Sequence, residues 1–378
     1  MRVLFLFEFP ESVQEWLMPD LIRAVKHIHP SIKVDYFHGF LKSYTSTGLT
    51  WKRLLNMIYI YLRLPFHLIL NRPDRVLVRT TPPCIQLYTV FWCSLLRIPT
   101  ICWLMDYHPE IEIRHFKRHW FLKPLASLLE VIDIWLSQKF TAIIALDPAI
   151  ATLAQTRAPK VPVIIHPTWP QENTSPNIPN PALYKPQARE VHIAYAGNLG
   201  KAHETQAFKR LLKALRPHAD ITLYIINCPD SGKALFQSIA EAVKAKIHIY
   251  PRQSKEGFHK LMHSLPIDFG LVLMKNFYAG LASPSKFSGY LFTGIPLLYI
   301  GPPGSNGEVA CSQWKAGIAI DPAENDDHLD AIARKLLDLG TRRELRHNVP
   351  KAAEHFSAQG PEALAKKLHL YFDEQAAL

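Results

Sequence analysis

Twelve short, nearly unbroken apolar runs, most of them followed by a stretch of helical period, constrain this chain more than any other feature. Six lie in the first half, at 3–7, 33–37, 75–79, 100–105, 142–146 and 161–165. Six lie in the second, at 192–196, 222–226, 247–250, 269–273, 297–300 and 317–320. A strand that is apolar on both pleat faces needs cover on both, and alternating βαβα order supplies it with helices. The expected helices run near 11–27, 51–69, 84–97, 121–138 and 148–155, then 204–215, 232–244, 255–263, 284–293, 306–312 and 325–339. The fold class is therefore α/β, with two Rossmann-like parallel-sheet domains.

A polar, proline-rich stretch without periodicity separates the two series. It gives the division 1–170 for the N-terminal domain, 171–187 for the linker and 188–355 for the C-terminal domain. The remainder, 356–378, reads as an amphipathic helix that could pack back on the N-terminal domain. A length of 378 residues suits two cores, and 48% hydrophobic with 20% charged residues is globular composition. In open parallel sheets ligands bind beyond the carboxyl ends of the strands, so two such domains are expected to face a common cleft.

The formal charge of +11 favours an anionic partner. No dense Lys/Arg run or nucleic-acid signature appears, so nucleic acid is not the expected one. Five cysteines without C-x-x-C spacing read as free thiols of a reducing compartment. The apolar start at 3–7 is broken by Glu8 and Pro10, too early for a signal peptide. The run 51–70 approaches spanning length but carries Lys52, Arg53, Arg63 and Pro65. It reads as a helix with one apolar face, packed on a sheet or lying on lipid.

Four motifs carry chemistry. At 195–204 a strand leads into a turn with Gly197, Asn198 and Gly200, then Lys201 and a helix. Glycines allow close backbone approach, a helix start attracts an anion, and Lys201 adds charge suited to a diphosphate. At 283–296, Ser283 and Pro284 suit a helix start, with Ser285 and Lys286 beside it. A lysine in a first helical turn opposes the helix dipole unless an anion is near. At 301–308, Gly304 and Ser305 follow a strand and open a helix. At 106–110, Asp106, His108 and Glu110 gather at a strand's carboxyl end, where His108 could move protons near neutral pH. Each motif also admits a plain reading as turn, cap or solvated side chain.

The segments 72–83, 103–110, 195–204 and 283–305, in that order and spacing, resemble glycosyltransferase family 4, most closely its bacterial surface-polysaccharide branch. The resemblance spans nearly the whole chain and implies the GT-B fold. It implies a nucleotide-sugar donor on the C-terminal half and a saccharide or lipid-linked acceptor on the N-terminal half. It also implies transfer with retention of configuration, without bound metal or other cofactor, in the cytoplasm or at the inner face of the membrane. Lys201 and Lys286 would neutralise the leaving diphosphate, with the Gly197–Gly200 turn cradling phosphate. Asp106, His108 and Glu110 would serve the acceptor side.

The sequence departs from that pattern in five places. The family's paired glutamates fall on Leu281 and Gly289, its arginine on Asn198 and a common histidine on Met105. A glycine-rich first loop is replaced by Phe7-Glu8-Phe9-Pro10. The lost carboxylates keep open a second reading, a non-catalytic nucleotide-sugar-binding partner of a membrane glycan assembly. A third, a nucleotide-sugar epimerase, needs acid/base carboxylates that these motifs lack. His115 and His119 have ligand-like spacing but no third ligand nearby, so no metal is expected. Aromatic and basic residues mix at 51–63 and 115–123, a composition suited to a lipid interface.

Overall fold

The computed structural model describes residues 1–8, 16–41, 50–170, 176 and 178–372. Phe9 and Pro10, the expected first helix before residue 16, and 171–175 and 177 of the linker lie outside the described residues. Each apolar run becomes a parallel strand, and the chain divides into two compact units.

Unit 1 comprises Met1–Gln171, Gly280–Ser283 and Gln359–Leu378. Its elements are β1 (Arg2–Leu6), α1 (Leu17–Ile28), β2 (Lys33–Phe37), α2 (Trp51–Asn71), β3 (Arg75–Arg79), α3 (Ile85–Leu96), β4 (Thr100–Leu104), α4 (Glu110–Phe116), α5 (Lys123–Ser137), β5 (Ala142–Ala145), α6 (Pro148–Arg157) and β6 (Val163–Ile165). Unit 2 comprises Glu172–Ala279 and Pro284–Ala358. It holds β7 (Glu190–Ala196), α7 (Gln206–Leu215), β8 (Asp220–Ile226), α8 (Asp230–Val243), β9 (Lys246–Tyr250), α9 (Lys255–Ser264), β10 (Phe269–Leu273), α10 (Lys286–Phe292), β11 (Leu297–Ile300), α11 (Asn306–Ser312), β12 (Gly317–Ile320), α12 (Asp326–Leu337) and α13 (Leu339–Ser357). The last helix, α14 (Pro361–Phe372), packs on α1 in unit 1, where the His29 and His369 rings stack with centroids 4.9 Å apart.

The strand order in unit 1 is β2-β1-β3-β4-β5-β6, and β3 and β4 are buried along their whole length. In unit 2 the order is β12-β11-β10-β7-β8-β9. Within that unit this is the dinucleotide-fold order, whose direction reverses between β7 and β10. Those two strands pair with Phe269 opposite Ile193 and Gly270 opposite Ala194. The loops that follow them flank the switch point, where this architecture leaves room for a ligand.

Three structural features were not expected from the sequence. Residues 280–283 belong with unit 1, although they lie within the stretch 188–355. The helices α4 and α13 occupy segments for which the sequence pattern predicts no element. α13 contains Pro350 and few apolar residues, but Leu345, Val349, Ala352 and Phe356 are buried at helical spacing. Polar anchoring completes it: Arg342 donates to the carbonyl of Leu336 at 2.6 Å, and Arg346 donates to that of Gly294 at 2.7 Å. Such tertiary bonds override a weak local preference.

Candidate functional site

The site in unit 2 is built from the β7 turn upward. Tyr195 is buried, and its hydroxyl donates to the Asn198 carbonyl at 2.7 Å, closing the turn on itself. Gly197 sits at φ +98°, a conformation that L side chains rarely adopt, and its N–H donates to the Ile226 carbonyl at 2.9 Å. A Cβ at Gly197 would stand 3.3 Å from Cε of Lys286. The glycine therefore serves both a left-handed turn and the close passage of a lysine.

Lys286 is the centre of this arrangement. Its Nζ donates to the Tyr195 hydroxyl and to the Asn198 carbonyl, each at 2.5 Å, and lies 3.3 Å from Nε2 of His203. It also stands 4.1 Å from the centroid of the Tyr195 ring. Loss of surrounding water pushes the ammonium down to about 7. Burial first, and then the Lys286 charge, push His203 down to about 4. His203 also meets Gly200, with Nδ1 2.8 Å from the Gly200 N–H and 3.1 Å from its carbonyl. One tautomer accepts from Gly200 and turns a proton towards Lys286. The other donates to Gly200 and accepts from Lys286. The histidine thus couples the conformation of the turn to the charge of the lysine.

The position of Lys286 is set from below. Tyr290, on the same short helix, accepts from the Ala196 N–H at 2.7 Å and donates to the Ala194 carbonyl at 3.2 Å. Its ring lies over Gly270 of β10, where an added Cβ would come within 2.3 Å of the ring. The switch-point strands and α10 are thereby locked together. Gly270→Ala is expected to destabilise the protein by about 1–3 kcal/mol through overpacking. A urea-unfolding midpoint equal to that of the parent would contradict this account of the packing.

Several side chains take other roles in the fold than the sequence predicts. Lys201 is exposed, and His203 rather than Lys201 is the residue beside Lys286. The α7 N-terminus is not an open anion site, because Glu204 accepts from the N–H groups of Gln206 and Ala207 at 2.9 and 3.0 Å. Ser283 is not a helix cap: α10 starts at Lys286 without a side-chain cap, and Ser283 bonds instead to buried Asp147 in unit 1. Ser285 is exposed and precedes α10. Ser305 is buried, and its hydroxyl caps α11 by accepting from the Glu308 N–H. Glu308 in turn accepts from the N–H of Gly304, which lies at φ +80°. That reciprocal pair is a capping box extended by one residue, so these groups are committed to the helix start. Leu281 is fully buried in unit 1, and a Cβ at Gly289 would meet nothing within 4 Å.

The cluster after β4 in unit 1 also divides. Asp106 keeps an exposed surface, but loss of surrounding water raises its carboxyl against the lowering effect of His108 and then Arg79. His108 is half-buried, and its Nδ1 lies 2.6 Å from Oε1 of Glu112. Glu110 is buried and its carboxylate is taken up by two guanidinium groups, Arg114 at 3.1 Å and Arg157 at 2.5 Å. Arg157 also pairs with Glu130 at 2.7 Å, so Glu110 ties α4 to α5 and α6 and is not free for acid/base work. Glu112 is the carboxylate that orients His108. The sequence signal for it was the i, i+4 spacing, but α4 had not been expected. The same helix ends at Phe116, so His115 and His119 do not share a helical face. Among the described residues, no three His, Cys, Asp or Glu side chains group together as a metal site. The five cysteines are unpaired, and burial raises every one of these thiols, Cys84 to about 12 and Cys93 to about 11.

The twin parallel sheets and the lysine-bearing switch point define a two-domain α/β protein of the GT-B type. The lipopolysaccharide outer core galactosyltransferase WaaB in its apo form is similar at a TM-score of 0.63 and 16% identity, over 97% of this chain and 100% of that one. WaaG, a glycosyltransferase of lipopolysaccharide biosynthesis, matches at 0.60 and 14%, over 97% and 99%. The Anabaena protein HepE, solved with UDP and glucose, matches at 0.59 and 12%, over 97% and 99%. No protein-family model matches the chain, and no curated protein matches it in sequence. At these identities the likeness establishes the fold.

Proposed function

We propose that this protein is a retaining, metal-independent glycosyltransferase that moves a sugar from a nucleotide-sugar donor to a saccharide or lipid-linked acceptor in surface-polysaccharide biosynthesis. The observation that carries the reading is Lys286, a crowded and desolvated lysine held against a left-handed glycine turn at the switch point of unit 2. A lysine in such a place gains most from an anion that replaces its lost water. The likeness to enzymes of lipopolysaccharide assembly and to a protein solved with UDP and glucose supports the same reading.

In this mechanism the bond between the anomeric carbon and the diphosphate oxygen breaks while the acceptor oxygen bonds that carbon on the same face. The acceptor proton leaves with the diphosphate. Lys286 carries the growing negative charge, while the Gly197 N–H is held by the Ile226 carbonyl and His203 holds the turn at the Gly200 N–H. On the acceptor side, His108 oriented by Glu112 is the group suited to hold a proton, with exposed Asp106 available to sugar hydroxyls. The free thiols, four of them buried, fit a reducing cytoplasm, at the inner face of a membrane.

A thermal-shift screen against UDP-, GDP-, ADP- and TDP-sugars is expected to give one base a clear rise in Tm, because binding stabilises by mass action. Transfer of label from that donor to membrane extracts should then persist in EDTA. Loss of transfer in EDTA would remove the metal-independent part of the reading. The absent carboxylates at 281 and 289 favour the alternative of a non-catalytic nucleotide-sugar-binding partner. A Tm rise without any product would decide for it.

A further inference from the structure

Unit 1 wears an apolar coat that unit 2 lacks. Among the described residues, eight large apolar side chains are exposed on α2, two on α3 and seven between residues 120 and 135, whereas unit 2 exposes only Leu183 and Leu235. α2 packs beside α3 and α3 beside α5, so these helices form one continuous layer. An ordinary layer of this kind keeps its outer face polar.

The helix α2 is apolar on two opposite sides. Ile60, Leu64 and Leu68 are fully buried against the fold, while Trp51, Leu55, Ile58, Leu62, Phe66 and Ile69 form an exposed stripe. The helix has the length and mean hydropathy of a membrane span. It cannot cross one without leaving its own core, and Arg63 sits near its middle. An element with one face fixed in the fold and the other apolar lies in an interface plane.

Charge names the occupant. α2 presents Lys52 and Arg63 at its surface and has no acidic residue, while Arg53 is paired with Glu8 at 2.9 Å. Lys52 stands 5.8 Å from the Trp51 ring centroid and Lys139 stands 4.5 Å from that of Trp135, so cationic heads accompany the exposed indoles. Exposed Trp120 is followed by exposed Lys123, whereas Lys117 before it is paired with Glu130 at 2.7 Å. Indole rings with lysines alongside match the headgroup level of a bilayer, where apolar bodies enter the acyl boundary and cations meet phosphate. We infer that the α2–α3–α5 face of unit 1 docks on an anionic lipid bilayer, lying flat without spanning it. This deepens the membrane-side reading proposed above, and its test needs neither donor nor turnover.

The experiment is flotation of the full chain with phosphatidylglycerol vesicles and, separately, with phosphatidylcholine vesicles. The wild type should float with the first at least tenfold more than with the second. Leu62→Glu with Phe66→Glu should lower that recovery at least tenfold, and Trp135→Glu on α5 should lower it independently. Leu183→Glu in unit 2 should float as wild type. All four positions are exposed, so Tm and far-UV circular dichroism should stay unchanged. No flotation with phosphatidylglycerol, or equal flotation of the Leu62/Phe66 and Trp135 variants, would overturn the inference. So would a lipid-free dimer in sedimentation velocity that Leu62→Glu with Phe66→Glu dissolves, because the face would then belong to a second copy.

Discussion

Replacing Lys286 with alanine should lower kcat/KM about 10- to 150-fold, the equivalent of about 1.5–3 kcal/mol for a charge-assisted contact to a leaving group. The expectation rests on position as much as on charge. Lys286 is threaded past Gly197 and fixed by the Tyr195 hydroxyl and the Asn198 carbonyl, so its ammonium is delivered to the turn already ordered. Preorganised charge is what a departing diphosphate needs, because no rearrangement is then required as the bond breaks. Lys201 provides the internal contrast. It is equally cationic and only four residues from Gly197, yet it is exposed. Lys201→Ala should change kcat/KM less than threefold, the range of a solvent-screened charge. Release of nucleoside diphosphate from the donor found in the screen measures both variants. Equal effects at the two lysines would show that bulk positive charge, not the placed ammonium, matters.

Donor affinity should fall with rising pH, towards tenfold per unit above pH 7, while the contribution of Lys286 to stability should rise over the same range. Burial lowers the ammonium from its usual value to about 7 in the free protein. A nucleotide-sugar diphosphate is esterified at both ends and keeps its charge across this range, so the lysine is the group that must change. Above pH 7 the lysine must take up a proton before it can meet the anion, and each pH unit makes that about tenfold harder. At pH 8 binding should draw in close to one proton, measurable by calorimetry in phosphate and in Tris, whose ionisation enthalpies differ. For folding the sign is opposite. The unfolded chain carries the lysine protonated up to its ordinary range, so between about pH 7 and 10 the unfolded state binds more protons and stability rises with pH. Below pH 7 both states are protonated and the penalty is constant. Lys286→Ala should flatten both slopes. A donor affinity that stays level from pH 7 to 9, or an unchanged slope in the alanine variant, would sink the idea.

The contrast between Lys286 and Lys201 also shows how far the sequence could be read. In sequence the two lysines were equivalent, each close to a glycine turn or helix start. Only the packing of Tyr290 over Gly270 drew one of them into the turn. The same holds for Glu110, which stood with Asp106 and His108 as a catalytic group until Arg157, 47 residues away, took its carboxylate. Ser283 was a fair helix cap by local rule, yet it serves Asp147 in the other unit of the chain from Lys286.

What the sequence determined by itself was the twelve parallel strands, most of their helices and the glycine turn, because apolar periodicity and backbone freedom are properties of neighbouring residues. What tertiary structure alone decided was which charge meets which. His203 beside Lys286, Glu110 beside Arg157, and α13 held through Arg342 and Arg346 depend on contacts between residues tens of positions apart or on a helix with weak local preference. Their energies come from desolvation and pairing in the folded interior, and no local pattern in the chain encodes those.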